Sequence, residues 1–281
     1  MPRDTNNRFA IWLALAAFFL ATAFLGRTTN QTDLIAFILV LFFLKRIYTQ
    51  AIRGHPGKID KTMPTTDNKT ALLNLLATLS FKLGDFTLAS GKKSDYYIDC
   101  RTTTLHAEGG RLSGLIFYDL IRAHTPQAEA VGGLTMGADP LVSNTASASA
   151  WDLADHNEIL ELSNELELGD EGPEPFPTFI HGFLVRKAEK THGTGRKIEG
   201  FLKPGAQVVI VDDVCTTGGS TITAIEAARE AGMIVAGVLC LVDREQGGRA
   251  NIEAVCNGAP FIAVFTATEV RAAHVANQKT K

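Results

Sequence analysis

Residues 207 to 221 read Gln-Val-Val-Ile-Val-Asp-Asp-Val-Cys-Thr-Thr-Gly-Gly-Ser-Thr, a stretch that few folds accept. The run from Val208 to Val211 is β-branched throughout and lacks the alternation of a half-solvated strand, so it predicts a central parallel strand covered on both faces. Asp212 and Asp213 follow at its carboxyl end, where open α/β sheets place their ligands. Thr216, Thr217, Gly218, Gly219, Ser220 and Thr221 then supply hydroxyls and backbone N–H groups without bulk, and Thr221 to Ala231 predicts a helix. A phosphate suits such a loop, because several N–H groups and a helix N-terminus converge on one point. No Gly-Lys-Ser/Thr follows the glycines and two acids precede them, which excludes the nucleoside-triphosphate loop. Carboxylates accept hydrogen bonds from hydroxyls and repel bare phosphate, so acids and loop together point to a ribose 5-phosphate. A tight strand-to-helix turn with incidental hydroxyls is the plain alternative.

The same stretch resembles the phosphoribosyl-pyrophosphate signature of type I phosphoribosyltransferases. The resemblance implies that Asp212 and Asp213 hold the ribose hydroxyls and that Thr216, Thr217, Gly218, Gly219 and Ser220 hold the 5-phosphate, with Val214 and Cys215 also at the substrate.

At 281 residues the chain exceeds one typical domain without needing to hold two. Its net charge of −3 leaves no electrostatic footprint for nucleic acid. Cys100, Cys215, Cys240 and Cys256 are scattered, with no Cys-x-x-Cys pair, which favours a reducing compartment and no structural zinc.

The hydrophobic excess lies at the amino end. Residues 9 to 26 carry no charge and approach the length of a membrane-spanning helix, and a second apolar run covers Leu34 to Leu44. Arg3 and Arg8 precede the first run, Lys45, Arg46, Arg53 and Lys58 follow the second, and only Arg27 lies between. The positive-inside rule therefore predicts a membrane-anchoring helical hairpin over 1–48 with both ends cytoplasmic. A cleaved signal with Ala21-Thr-Ala23 at its end, or a start at Met63 with a dispensable extension before it, are the competing readings. Residues 49–67 read as a linker and 68–281 as the catalytic domain.

In that domain Thr70 to Leu83 places leucines at helical spacing and predicts an amphipathic helix. Residues 86 to 99 read as two strands around a Ser-Gly-Lys-Lys-Ser turn; adjacent Tyr96 and Tyr97 face opposite sides, so at most one covers a planar ligand. Gly109 to Ala123 predicts a helix, Ala130 to Gly133 a strand, and Gly133-Leu-Thr-Met-Gly-Ala-Asp-Pro140 a loop opening another helix. Residues 144–177 carry many acids and no Lys or Arg, and read as an acidic surface insertion, a solvated loop in the plainer version. Thr178 to Val185 predicts a strand, and Arg186 to Gly200 a glycine-bearing basic segment suited to a mobile lid. Val235 to Val242 predicts a buried strand ending in Arg244, which suits a forked pair with a carboxylate or a salt bridge to Asp243 or Glu245. Phe261 to Phe265 predicts the last strand, and 267–281 a plain polar end.

Hood, glycine loop, basic lid and ribose loop in this order make residues 68–270 resemble an orotate phosphoribosyltransferase. The implied fold is α/β: a mostly parallel sheet flanked by helices, with a small hood. The implied reaction joins orotate to phosphoribosyl pyrophosphate, giving orotidine 5'-monophosphate and pyrophosphate. The resemblance places Lys93, Tyr96, Tyr97 and Arg244 at the base, and Thr135, Met136 and Gly137 at the pyrophosphate through their backbone. It makes Lys190, supported by Arg186, Lys187 and His192, the source of charge on the leaving group, and implies a homodimer that shares the lid. Mg2+ is the implied cofactor, held by substrate with Asp212 or Asp213 reaching it through water. Gly137 and Ala89 stand where many relatives carry lysine. Another nucleobase phosphoribosyltransferase, or a non-catalytic membrane-tethered sensor of phosphoribosyl pyrophosphate, are the alternatives.

Overall fold

The computed structural model describes residues 66–87, 93–165, 178–187 and 197–279. The expected membrane hairpin over 1–48 and the linker as far as residue 65 lie outside those residues, as do 88–92, 166–177 and 188–196. Among the described residues no helix is long and apolar enough to cross a membrane.

The described chain begins with α1, Thr66–Leu75, which runs on as a π-helical turn, Leu76–Ser80. A hairpin follows, β1 Phe81–Thr87 with antiparallel β2 Lys93–Ile98. Then come α2 Arg101–Thr104, α3 Ala107–His124, β3 Ala130–Leu134 and α4 Asp139–Glu165. They lead to β4 His181–Val185, β5 Ile198–Gly200, β6 Gln207–Cys215 and α5 Gly219–Glu230. The remaining elements are β7 Ile234–Asp243, α6 Gly248–Val255, β8 Phe261–Thr266 and α7 Ala267–Lys279.

Six strands form the main sheet in the order β5-β4-β3-β6-β7-β8, parallel except for the edge strand β5. Strand β6 is central, and Val208 to Val211 are fully buried, as an unbroken β-branched run predicts. Its side chains divide between two cores. Val209 and Val211 pack with Leu239, Leu241 and residues of α1, α3 and α4, whereas Val208 and Ile210 pack with Val238, Cys240 and the α5 residues Ala224, Ile225 and Ala228. Burial on both faces fixes the register, because a one-residue slip exchanges the two sets.

Three segments differ from the sequence expectation. The helix expected over 70–83 ends at Ser80, because Phe81 gains more in the hairpin: it pairs with Ile98 and its ring stacks on Tyr96 at 5.4 Å and tilts against His274 at 5.1 Å. The expected polar tail is α7, which buries Ala267 and Val270 and brings His274 Nδ1 to the Ala77 carbonyl at 2.6 Å. The acidic stretch starts within α4, whose 27 residues run through Trp151 to Glu165. Thr145, Ala148, Ser149 and His156 are buried along it, and Ser149 Oγ accepts the Ile180 N–H at 3.0 Å, so tertiary contacts hold a helix where charge pattern alone read as solvated loop.

Candidate active site

The carboxyl ends of β3 and β6 open into a cleft of about 320 Å³. Its walls are Tyr97, Ile98 and Asp99 from the end of β2, Arg101 from α2, and Leu134 to Gly137 after β3. Lys187 follows β4, and Asp212, Asp213, Val214 and Ser220 complete the floor.

The two floor carboxylates differ. Asp212 is 6 % exposed; its Oδ1 accepts the Asp213 N–H at 3.0 Å and its Oδ2 accepts the Thr221 hydroxyl at 2.7 Å. Burial, aided by repulsion from Asp213, pushes its pKa up to about 7. Asp213 is less enclosed and is also raised by burial, while the Val214 N–H and the Arg101 charge pull it back. The outer carboxylate is therefore the better placed to meet a hydroxyl, with the inner one hydrogen-bonded behind it. Gly137 lies so close to Asp213 that a Cβ there would overlap Oδ1. In this geometry a lysine at 137 and the Asp213 carboxylate compete for the same space.

The loop after β6 is anchored through its carbonyls. The Cys215 oxygen accepts the Arg244 N–H at 2.8 Å, the Thr216 oxygen accepts the Gly248 N–H at 3.1 Å, and the Thr217 oxygen accepts Asn251 Nδ2 at 3.0 Å. With the carbonyls engaged on the α6 side, the loop is set up to offer its N–H groups to an anion at the N-terminus of α5. Gly218 caps that helix at φ 81°, a left-handed conformation that favours glycine. Of the loop residues only Val214 and Ser220 line the cleft; Cys215 is buried, and Thr216, Thr217, Gly218 and Gly219 lie beside it.

Other expected residues divide between cleft and scaffold. Tyr97 is 40 % exposed and lines the cleft, whereas Tyr96 packs on Phe81 and under the Arg244 guanidinium at 4.8 Å, so one tyrosine of the pair is free to cover a ligand. Thr135, Met136 and Gly137 all line it, yet the Thr135 N–H already donates to the Val185 oxygen at 2.9 Å, leaving Met136 and Gly137 as the backbone donors. Arg244 does not line the cleft; it is 8 % exposed, with Nε 3.4 Å from Tyr96 Oη and Nη2 3.4 Å from Ser94 Oγ. The expected salt bridge to Asp243 or Glu245 is not the arrangement found: Asp243 meets Arg249 and Glu245 bonds Thr268. Lys93 is exposed and donates to Thr87 Oγ1 at 3.0 Å across the hairpin, away from the cleft.

Among the lid cations Lys187 reaches the cleft, while Arg186 pairs with Glu199 of β5 at 2.8 Å. Lys190 and His192 lie outside the described residues. Asp99 and Arg101 were not singled out from sequence; the signal was their Asp-x-Arg spacing directly after the strand that brings Tyr97 to the cleft. No group of three or more His, Cys, Asp or Glu side chains among the described residues has the spacing of a metal site.

Comparison with known proteins gives the same outline. Residues 182–276 match the family model described as the phosphoribosyl transferase domain. The chain is 40 % identical over 202 residues to the orotate phosphoribosyltransferase of Aquifex aeolicus, covering 71 % of this chain and 95 % of that protein. It is 40 % identical over 212 residues to the Synechocystis orotate phosphoribosyltransferase, covering 75 % and 92 %. The structure resembles Mycobacterium tuberculosis orotate phosphoribosyltransferase in complex with 5-phospho-α-D-ribosyl 1-diphosphate, with a TM-score of 0.53, 29 % identity, and coverage of 72 % of this chain and 98 % of the other. With an α/β sheet, an acid pair ending its central strand and this degree of identity over nearly the whole of these relatives, the chain belongs to the orotate phosphoribosyltransferase family.

Proposed function

We propose that this protein transfers the 5-phosphoribosyl group of phosphoribosyl pyrophosphate to a ring nitrogen of orotate, forming orotidine 5'-monophosphate and pyrophosphate in pyrimidine synthesis. The single observation that carries the reading is the floor of the cleft, where Asp213, backed by Asp212, adjoins a loop whose carbonyls are tied away from the helix N-terminus. Asp213 accepts ribose hydroxyls, Ser220 and the loop N–H groups take the 5-phosphate, and Met136 and Gly137 offer N–H groups to the diphosphate. Tyr97 covers the base, and Arg244, held by Tyr96 and Ser94, supplies the acceptor side with a carboxylate partner when the hood closes.

As the glycosidic bond breaks, the sugar gains positive charge and the leaving diphosphate negative charge. Catalysis is then mostly alignment and electrostatic stabilisation. Lys187, Lys190 and His192 act on the leaving group, with Arg186 bracing the base of the lid through Glu199. Mg2+ fits as a substrate-borne ion: the donor set is an aspartate pair rather than a protein cage, so Asp213 would reach it through water. Bound there, it neutralises diphosphate charge.

A homodimer sharing the lid, and tethering to a membrane by residues 9–26 and 34–44, complete the reading; the supports are the glycine-bearing basic segment and the apolar runs. The test is pyrophosphate release from phosphoribosyl pyrophosphate with orotate, adenine or xanthine as acceptor. Release with orotate alone is expected; release with a purine alone, or binding without release, removes the assignment.

A further inference from the structure

Arg101 is a cation on the lip of the cleft that the mechanism above leaves idle. It is fixed in place: Nε and Nη2 donate to the two carboxylate oxygens of Asp99 at 2.8 and 2.7 Å, and its own backbone N–H donates to Asp99 Oδ1 at 3.1 Å. The fork uses one edge of the guanidinium and leaves the Nη1 edge for a second planar or tetrahedral anion. Its side chain is 42 % exposed, so that edge is open to a ligand.

The charge balance of the cleft shows why such a cation matters. Asp99, Asp212 and Asp213 all line it, and Arg101 and Lys187 are the cations among its described lining residues. A ligand carrying several negative charges enters only where cations offset those acids. Arg101 acts on the floor already, since its charge pulls the Asp213 carboxyl down while Asp99 pushes it up. The bond to Arg101 in turn holds the Asp99 carboxyl below its ordinary range, so Asp99 stays charged and keeps the fork in place.

We propose that Arg101 is a substrate-binding residue for the diphosphate group of phosphoribosyl pyrophosphate, with Asp99 as its positioning residue. The proposal rests on the reading given under Proposed function and deepens it. The diphosphate is favoured over the acceptor's carboxylate by placement. Arg101 shares the cleft with Gly137 and with Asp213, which takes the ribose, and the anion next to a sugar's anomeric carbon is its diphosphate. Of the acceptor side, Tyr97 lines this cleft, whereas Arg244, the cation assigned to the acceptor's carboxylate, does not. A bare surface ion pair is the competing account, and such a pair contributes little to stability and nothing to ligand binding.

The experiment uses the full chain and its Arg101→Gln, Arg101→Lys and Asp99→Asn variants, with circular dichroism confirming the fold of each. Magnesium pyrophosphate is titrated calorimetrically, and KM is measured for both substrates. Arg101→Gln is expected to weaken pyrophosphate binding and to raise KM for phosphoribosyl pyrophosphate by about tenfold each, the loss of one charge-assisted forked contact, with KM for orotate changing less than about twofold. Arg101→Lys should recover part of the loss and Asp99→Asn should show a smaller one. Unchanged pyrophosphate binding in a folded Arg101→Gln variant overturns the proposal, as does a rise confined to KM for orotate. The pyrophosphate titration decides the role of Arg101 even if the wild-type chain releases no pyrophosphate from orotate, an outcome that removes the enzymatic reading alone.

Discussion

The floor of the cleft and its lips are built on opposite plans. The floor is one continuous piece of chain: β6 buried on both faces, Asp212 bonded to Thr221, and a loop tied down by Arg244, Gly248 and Asn251. The lips are assembled from the end of the hairpin, the start of a four-residue helix and the second residue after β4, and Tyr97 and Lys187 there are exposed. A ribose phosphate needs a pre-shaped seat that does not reorganise, whereas charges meant for a leaving group serve best on parts able to close over it. Enclosure and exposure are thus divided between neighbouring walls of one site.

The largest effect should come from breaking the rigid side. Ile210→Ala removes a fully buried side chain from the strand that carries both carboxylates, and should cost about 3 kcal/mol of stability in denaturant unfolding. A loss below about 1 kcal/mol would mean that β6 is less tightly packed than its burial implies.

Among the cations expected at the leaving group, Lys190→Ala should lower kcat about 100-fold with the unfolding midpoint unchanged, the scale of losing a contact felt only in the transition state. Near-normal turnover would remove Lys190 from the mechanism.

A pH titration sharpens the contrast at the level of a single carboxyl. Folding lifts Asp212 from 3.8 to about 7, so across that window the native chain holds a proton that the unfolded chain has released. This contribution is fully present below the unfolded value and is lost as pH rises to the folded one, so stability without ligand should fall with pH between about 4 and 7. Asp212→Asn should flatten that fall, and a slope identical to the wild type would show that Asp212 titrates normally.

The smallest effect expected is at Tyr96, whose hydroxyl lies 3.4 Å from Arg244 Nε while its ring stays packed on Phe81. Tyr96→Phe should raise KM for orotate about threefold, the size of one long neutral-to-charged hydrogen bond, and leave KM for phosphoribosyl pyrophosphate alone. Equal changes in both would place Tyr96 in general scaffolding.

The same division explains what the sequence made legible. The floor could be read because its strand, acids, loop and helix are consecutive, so local pattern and three-dimensional placement coincide. Strand alternation separated Tyr96 from Tyr97 onto opposite faces, while which of the two reaches the cleft came from the packing of Tyr96 on Phe81. Asp99 and Arg101 escaped notice because their meaning depends on a cleft wall contributed from residues over a hundred positions further on. Arg244 was expected in a salt bridge or on a ligand and is found bonded to the hood, 148 positions away from Tyr96, a partner that no local pattern names. The continuation of α4 through the acidic stretch, and the whole of α7, were missed for a related reason: Ser149 and His274 find their partners, Ile180 and Ala77, far along the chain.

His274, Phe81, Tyr96 and Arg244 form one column of packed rings and guanidinium that crosses from the last helix through the hood to the end of β7. Packed columns transmit displacement because they have no slack to absorb it. Kinetic screens of this protein should therefore find acceptor-specific defects among substitutions in α7, a helix that does not line the cleft and that a search confined to it would pass over.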